Sequence, residues 1–95
     1  MFSDFSEAKA FVEKRSVEMV DMKFCDLWGR WHHVTIPASG FAPVLMEKGV
    51  AFDGSSVGFK SVSSGDMVLV PDLGTGFLDP FWEVPTLSFI CTPLE

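Results

Sequence analysis

The spacing of apolar residues changes near residue 18, and this change limits the fold more than any other feature of the sequence. Between Ser3 and about Arg15 the apolar residues recur every three or four positions, which predicts an amphipathic helix with Ser3 or Ser6 as its N-cap. The next stretch, VEMVDMKFCDL, alternates apolar and polar residues, as a half-buried strand does. The chain therefore starts with a helix and a strand that can bury their apolar sides in one core.

The later segments extend this pattern. Gly29 marks a hairpin connection into RWHHVTI, so two antiparallel strands follow the helix. Ser39 is placed to cap a short second helix through GFAPVLMEK, with Gly49 at its C-terminal end. Further strands are predicted at DMVLVPD, at the short GFLDPF and at TLSFICT. We therefore predict an α+β roll of the β-grasp (ubiquitin-like) class, in which one main helix plus a short helix pack a mixed sheet of four to five strands.

The length and charge of the chain exclude several classes of function. Ninety-five residues form a single domain, residues 1–95, which has room for one two-layer core but is too small to enclose a substrate. The formal net charge is −6 and the Lys and Arg residues are scattered, so nucleic acid and anionic membranes are not expected partners. The sequence shows neither the pattern of a signal peptide nor an apolar run long enough for a membrane span, so we expect a cytoplasmic protein.

The cysteines and histidines do not form a metal-binding pattern. Cys25 and Cys91 are far apart in the sequence, unlike the close-spaced ligands of a zinc site or the many cysteines of a disulfide scaffold, and we expect both to be buried free thiols. His32 and His33 are adjacent in a predicted strand, so their side chains point to opposite faces. We expect one packed and one solvent-facing histidine.

The stretch FDGSS, residues 52–56, allows two interpretations. An Asp followed by Gly is a strong turn signal, and a purely structural turn explains it. In the second interpretation, Asp53 presents an ionised carboxylate at a loop tip beside the hydroxyls of Ser55 and Ser56, which suits a small cation.

Four blocks of the sequence carry a resemblance to a known family. In order, they are VDMKFCDLWGRWHHVTIPAS, FDGSS, DMVLVPD and FLDPFWEVPTLSFIC. Together they resemble the N-terminal β-grasp domain of bacterial type I glutamine synthetase, from about Glu18 to Cys91. The resemblance rests on four blocks in register and not on FDGSS alone.

The resemblance implies a function for the whole protein. Glutamine synthetase ligates ammonia to glutamate through γ-glutamyl phosphate made from ATP, with Mg or Mn ions. Its N-terminal domain completes the active site of the adjacent subunit in a homo-oligomeric ring, a dodecamer, in which the catalytic domain of that subunit is its partner. By this resemblance Asp53 is catalytic, and Asp53 and Ser56 bind ammonium.

The same resemblance implies limits on this chain. The nucleotide site, the metal ligands and the residues that hold glutamate belong to the family's C-terminal domain. We therefore expect an N-terminal fragment of a longer glutamine synthetase, inactive alone and binding no cofactor itself. Two different functions stay open: a related γ-glutamyl-amine ligase, which uses a larger amine, and a stand-alone, non-catalytic β-grasp module that binds a partner through a strand edge or sheet face.

Overall fold

The computed structural model describes residues 2–25, 28–53, 66–80 and 82–94. These residues form two α-helices, six strands and two 3-10 turns, the latter at Ala38–Gly40 and Leu73–Thr75. In chain order the helices and strands are α1 (Phe5–Lys14), β1 (Met19–Cys25), β2 (Trp31–Pro37), α2 (Val44–Lys48), β3 (Val50–Asp53), β4 (Asp66–Pro71), β5 (Phe77–Asp79) and β6 (Thr86–Leu94). No helix in this part of the chain is long and apolar enough to cross a membrane.

The six strands form one mixed sheet in the order β2-β1-β6-β4-β3, and β5 also pairs with β6. β1 and β6 run parallel, while the β1–β2, β3–β4, β4–β6 and β5–β6 pairs are antiparallel. The central strand β6 therefore joins the hairpin at the start of the sheet to the hairpin at its end. Within the described residues, β2 and β3 are the outermost strands of this order, and β5 pairs with β6 alone.

The hydrophobic core lies between the helices and one face of the sheet. Because side chains alternate across a strand, Val20, Met22 and Phe24 of β1 all point into it, and all three are buried. Phe41 stacks on Phe89 of β6 with ring centroids 5.7 Å apart. The predicted helix-on-sheet arrangement of the β-grasp fold is confirmed.

Both helices begin at residues other than those predicted. Asp4, rather than Ser3 or Ser6, caps α1, because its carboxylate accepts a hydrogen bond of 2.8 Å from the backbone N–H of Glu7. α2 begins after Pro43, whereas Ser39 lies in the preceding 3-10 turn.

The position of Pro43 explains the late start of α2. A proline ring disfavours the helical conformation in the residue before it, so a start of the helix ahead of Pro43 is disfavoured. The predicted C-terminal residue, Gly49, is confirmed. Its φ of +69° lies in the left-handed region, which favours glycine, and its N–H donates to the carbonyl of Leu45.

One further expectation needs correction, and one strand was not predicted. Cys91 is buried as expected, but Cys25 is exposed, because it ends β1 on the face that points away from the helices. The strand β3 was not predicted, since its four residues lead directly into the turn-like FDGSS stretch. Both cysteines are free thiols.

Candidate functional site

Asp53, the predicted catalytic residue, is the last residue of β3 and pairs with Asp66 at the start of β4. This pairing fixes its backbone at the end of an outermost strand of the sheet. The other predicted ammonium-binding residue, Ser56, lies outside the described residues, as does Ser55.

A second group of polar residues lies on the sheet face that points away from the helices. We call it the polar cluster, and it consists of Asp21, Lys23, His33, Thr35, Asp79, Trp82 and Ser88. The alternation of β1 that sends Val20 and Met22 into the core sends Asp21 and Lys23 to this face. Register then places Thr35 opposite Asp21 and His33 opposite Lys23.

Asp21 is the centre of the polar cluster. Its side chain is fully buried, yet both carboxylate oxygens accept hydrogen bonds. Oδ1 accepts from His33 Nδ1 at 2.7 Å and from the Thr35 hydroxyl at 2.9 Å. Oδ2 accepts from Lys23 Nζ at 2.6 Å. These bonds offset the large cost of removing a carboxylate from water.

Asp79 is a second buried carboxylate, held at the end of β5. Its Oδ2 accepts from the Ser88 hydroxyl at 2.9 Å and from Trp82 Nε1 at 3.1 Å, and it lies 3.3 Å from Lys23 Nζ. One ammonium group therefore bridges two buried carboxylates that belong to different strands.

The bridging position changes the pKa of Lys23. Burial lowers this pKa and is the largest single influence on it, but the hydrogen bonds and negative charges of Asp21 and Asp79 together outweigh burial. The pKa is raised above the usual value of 10.5, so Lys23 is protonated at neutral pH.

His33 connects the polar cluster to solvent. Its side chain is 53% exposed. Because an ionised carboxylate can only accept, Nδ1 is the protonated ring nitrogen and donates its N–H to Asp21 Oδ1. The imidazole meets the Trp82 ring edge-on with centroids 5.8 Å apart. A shallow, open cavity of about 470 Å³ lies beside them, lined also by Lys23, Phe77 and Asp79.

The polar cluster does not fit a metal site. No three His, Cys, Asp or Glu side chains of the described residues are placed to hold an ion. Nor does any buried side-chain nitrogen or oxygen among them lack a hydrogen-bond partner. Among the described residues the polar cluster is therefore a hydrogen-bonded network that ties β1, β2, β5 and β6 together, without a ligand set for a metal ion.

Comparison with known proteins decides the family. The family model for the glutamine synthetase β-grasp domain matches residues 16–95. This chain belongs to that family. The resemblance inferred from the four sequence blocks is thereby confirmed, and so is the β-grasp fold.

Two curated relatives with different names are similar to most or all of the chain. The glutamine synthetase of Aquifex aeolicus is 43% identical over 86 residues, which are 90% of this chain and 18% of that protein. A protein of Cupriavidus pinatubonensis named 3-hydroxylaminophenol mutase is 41% identical over 96 residues, covering 100% of this chain and 20% of that protein. The chain thus spans about a fifth of the length of these curated relatives.

A solved structure supports the same fold at lower sequence similarity. The structure of Plasmodium falciparum glutamine synthetase superposes with a TM-score of 0.84 over 97% of this chain and 18% of that one, at 22% identity. The superposition covers 97% of the chain, whereas the family model begins at residue 16. The superposition therefore extends over α1, which lies before residue 16 and is part of the shared fold.

Proposed function

We propose that this chain is the N-terminal domain of a longer protein that ligates ammonia to glutamate with ATP, through γ-glutamyl phosphate. The observation that carries the proposal is the family match over residues 16–95. The chain matches only about a fifth of the length of its curated relatives, which supports the view that a catalytic domain follows in the full protein. The cytoplasmic location stays a prediction.

Asp53 is proposed to bind ammonium and to accept a proton from it, with Ser56 beside it. Ammonium has no lone pair and is not a nucleophile, so the reaction needs a base where the nitrogen attacks. A carboxylate attracts the cation and favours loss of its proton, and a neutral side chain at this position can do neither.

The place of Asp53 in the sheet supports a site shared between subunits. Asp53 ends the outermost strand β3, so a neighbouring chain can approach it without separating strands of this domain. We propose that the neighbour is the catalytic domain of the adjacent subunit in a homo-oligomeric ring, a dodecamer by family resemblance. ATP, glutamate and Mg or Mn are then held by that domain, as the family resemblance implies.

One comparison favours a second candidate activity. The Cupriavidus pinatubonensis relative named 3-hydroxylaminophenol mutase is similar over the whole of this chain. A mutase acting on a hydroxylaminophenol therefore has to be tested beside the ligase. A γ-glutamyl-amine ligase and a stand-alone binding module also compete with the ammonia ligase, and the experiment below separates all four functions.

The deciding experiment begins with the gene. Reading it beyond the codon for Glu95 shows whether a catalytic domain follows. The full-length protein is then assayed for glutamate-dependent phosphate release from ATP with ammonium or methylamine, and separately for conversion of 3-hydroxylaminophenol. Turnover with ammonium supports the proposal. A stop codon, or turnover with methylamine or 3-hydroxylaminophenol alone, overturns it.

The role of Asp53 is tested in the same full-length protein. Asp53→Asn is expected to lower ammonium-dependent turnover by about 10²-fold or more, the usual contribution of a general base, while ATP affinity is kept. Asp4→Asn is the matched control, because asparagine also caps a helix and Asp4 lies at the start of α1. Equal turnover in the two variants contradicts the assignment of Asp53.

A further inference from the structure

A single residue, Gly49, joins α2 to β3. α2 ends at Lys48 and β3 begins at Val50, so no loop separates the helix from the strand that carries Asp53. The N–H of Gly49 donates to the carbonyl of Leu45, 2.9 Å away, which ties it to the last turn of the helix. The direction in which β3 leaves the helix is therefore set at this one residue.

The backbone of Gly49 has a conformation that is almost exclusive to glycine. Its φ is +69° and its ψ is −172°. Residues with a Cβ atom are essentially absent from this region, because the Cβ collides with the neighbouring backbone. Asn and Asp, which tolerate a positive φ best, do so at a ψ of about +47°, far from the value found at this position. The turn from helix to strand therefore requires glycine.

Gly49 also lies against the backbone of β4. A Cβ added at Gly49 would stand 2.5 Å from the carbonyl oxygen of Leu69, 3.1 Å from its carbonyl carbon and 3.2 Å from Val68 Cβ. Leu69 and Val68 are the residues of β4 that pair with the first two residues of β3. The close approach therefore occurs beside the pairs that fix where β3 begins.

β3, rather than β4, is the strand that yields when this contact is overfilled. Val68 and Leu69 of β4 also pair with β6 on their other side, and Leu69 is fully buried. β3 has only four residues, and within the described part of the chain it pairs with β4 alone. A backbone held by two neighbouring strands resists displacement more than a short outer strand does. A side chain at position 49 therefore shifts β3.

We propose that Gly49 is a positioning residue for Asp53: it sets the place and register of β3 against β4, and so fixes the backbone from which Asp53 serves ammonium. This inference rests on the role proposed for Asp53 above. Asp53 ends β3, four positions beyond Gly49, which is about 13 Å along an extended chain. A shift at the first pair of so short a strand is carried to its end, and misplacing a catalytic group by about 1 Å can cost about 10²-fold in rate.

The structural half of the proposal is tested in the 95-residue chain by NMR, which does not depend on activity. In Gly49→Ala the cross-strand contacts of the β3–β4 pairs are expected to weaken or change register, while those of the β1–β2 pairs stay as they are. Gly40→Ala is the matched glycine control, because its added Cβ has no neighbour closer than 3.8 Å. Val12→Ala is the control for lower stability, since it removes buried methyl groups from α1. Both controls should keep the β3–β4 contacts.

The catalytic half is tested in the full-length protein, by glutamate-dependent release of phosphate from ATP. Gly49→Ala is expected to lower kcat/KM for ammonium by about 10²-fold. The KM values for ATP and glutamate should stay within about twofold, because the family resemblance assigns these ligands to the catalytic domain. Gly40→Ala and Val12→Ala should keep kcat/KM for ammonium within about twofold of wild type. Lower stability alone does not produce this split between substrates.

Combining Gly49→Ala with Asp53→Asn shows whether Gly49 acts through Asp53. If Gly49 serves catalysis only by placing the carboxylate, its substitution has little left to change once that carboxylate is gone. We therefore expect Gly49→Ala to lower kcat/KM for ammonium by less than about threefold in the Asp53→Asn background, against about 10²-fold in the wild type.

A second variant keeps the test open if Gly49→Ala does not fold. A glycine inserted between Gly49 and Val50 adds no Cβ, but it moves β3 by one residue along β4, and such a slip reverses the face of every residue in a strand. The same loss of kcat/KM for ammonium is expected.

Three results overturn the positioning role of Gly49. They are native β3–β4 contacts in Gly49→Ala, an unchanged kcat/KM for ammonium in that variant or in the insertion variant, and equal losses from Gly49→Ala with and without the Asp53 carboxylate. A failure of the proposed function is distinguished from these results: it shows as full turnover in Asp53→Asn, or as no ammonium-dependent turnover in the wild type, and the positioning role then falls with it.

Discussion

The Nδ1 atom of His33 and the Oδ1 atom of Asp21 lie 2.7 Å apart on neighbouring strands, and the two side chains differ sharply in exposure. Asp21 is fully buried, whereas His33 is 53% exposed. The pair therefore connects a carboxylate inside the sheet to solvent, and Lys23 extends the connection to Asp79. The polar face of the sheet is held by charge and hydrogen bonding, while the opposite face is held by apolar packing.

Removing the charge of Asp21 is expected to destabilise the domain. Asp21→Asn keeps the size of the side chain, but it weakens the bond to Lys23 and places amide donors near His33, Lys23 and Thr35. Breaking a buried ion pair from one side costs about 3 kcal/mol. Urea unfolding at pH 7 measures this loss. Glu83→Gln is the control, because Glu83 is an exposed acid and its substitution is expected to cost less than about 0.5 kcal/mol.

Lys23→Met tests the bridge between the two carboxylates. Methionine keeps much of the apolar stem but removes the ammonium, so Asp21 and Asp79 face each other without a cation. We expect a loss of about 2 kcal/mol at pH 7, between the values for exposed and buried pairs.

The effect of Lys23→Met is expected to depend on pH. The folded pKa of Lys23 is raised, so its stabilisation is complete below the ordinary value of 10.5 and is lost as the pH rises through the folded pKa. The difference in unfolding free energy between wild type and variant should therefore shrink above pH 10.5. A difference that stays constant to pH 11.5 contradicts the bridge.

Cys91 is also expected to make the domain less stable as the pH rises. Burial raises the pKa of its thiol from 9.0 to about 12, so the folded state keeps a proton that the unfolded state loses above pH 9. The stability lost by pH 10.5 is about 2 kcal/mol, and the loss ends near the folded pKa. Cys91→Ala should reduce the slope of stability against pH between 9 and 11, and Cys25→Ala, at an exposed thiol, should not. Equal slopes in both variants contradict this role of Cys91.

The sequence predicted the fold well because its periodicities are strong. The alternation of β1 identified Val20, Met22 and Phe24 as one buried face, and all three are buried. The predicted start of α2 was wrong, because Pro43 disfavours a helical conformation in the residue before it and this effect outweighed the apolar spacing. β3 was missed because a four-residue strand is stabilised by its pairing with β4, and pairing partners are not visible in a local pattern.

The polar cluster was less accessible from the sequence. The alternation of β1 places Asp21 and Lys23 on one face, and this was the feature of the sequence that pointed to the cluster. The approach of Asp79, however, depends on how β5 pairs with β6 in space. The opposite directions of His32 and His33 were predicted correctly, since they follow from the period of two alone: His32 stacks on Phe24 and His33 bonds Asp21.

Gly49 ends α2 with a positive φ and close to β4, and its substitution tests the backbone conformation and the packing at this helix end. A Cβ at this position lies 2.5 Å from the carbonyl oxygen of Leu69 and 3.2 Å from Val68 Cβ, and the φ of +69° is strained for an L side chain. Overpacking and strain each cost about 1–3 kcal/mol, so Gly49→Ala should lower the unfolding free energy by about 3 kcal/mol.

Gly40→Ala is the matched control for Gly49→Ala. The Cβ added at Gly40 has Ile36 Cδ1 at 3.8 Å as its nearest neighbour, and its φ is outside the left-handed region. This variant should therefore stay within about 0.5 kcal/mol of wild type in urea unfolding. Equal losses in the two glycine variants mean that the destabilisation comes from replacing a glycine in general. A loss confined to Gly49→Ala assigns it to the positive φ and the close contact at this helix end, which lies against β4, the strand that pairs with β3 and so positions the backbone of Asp53.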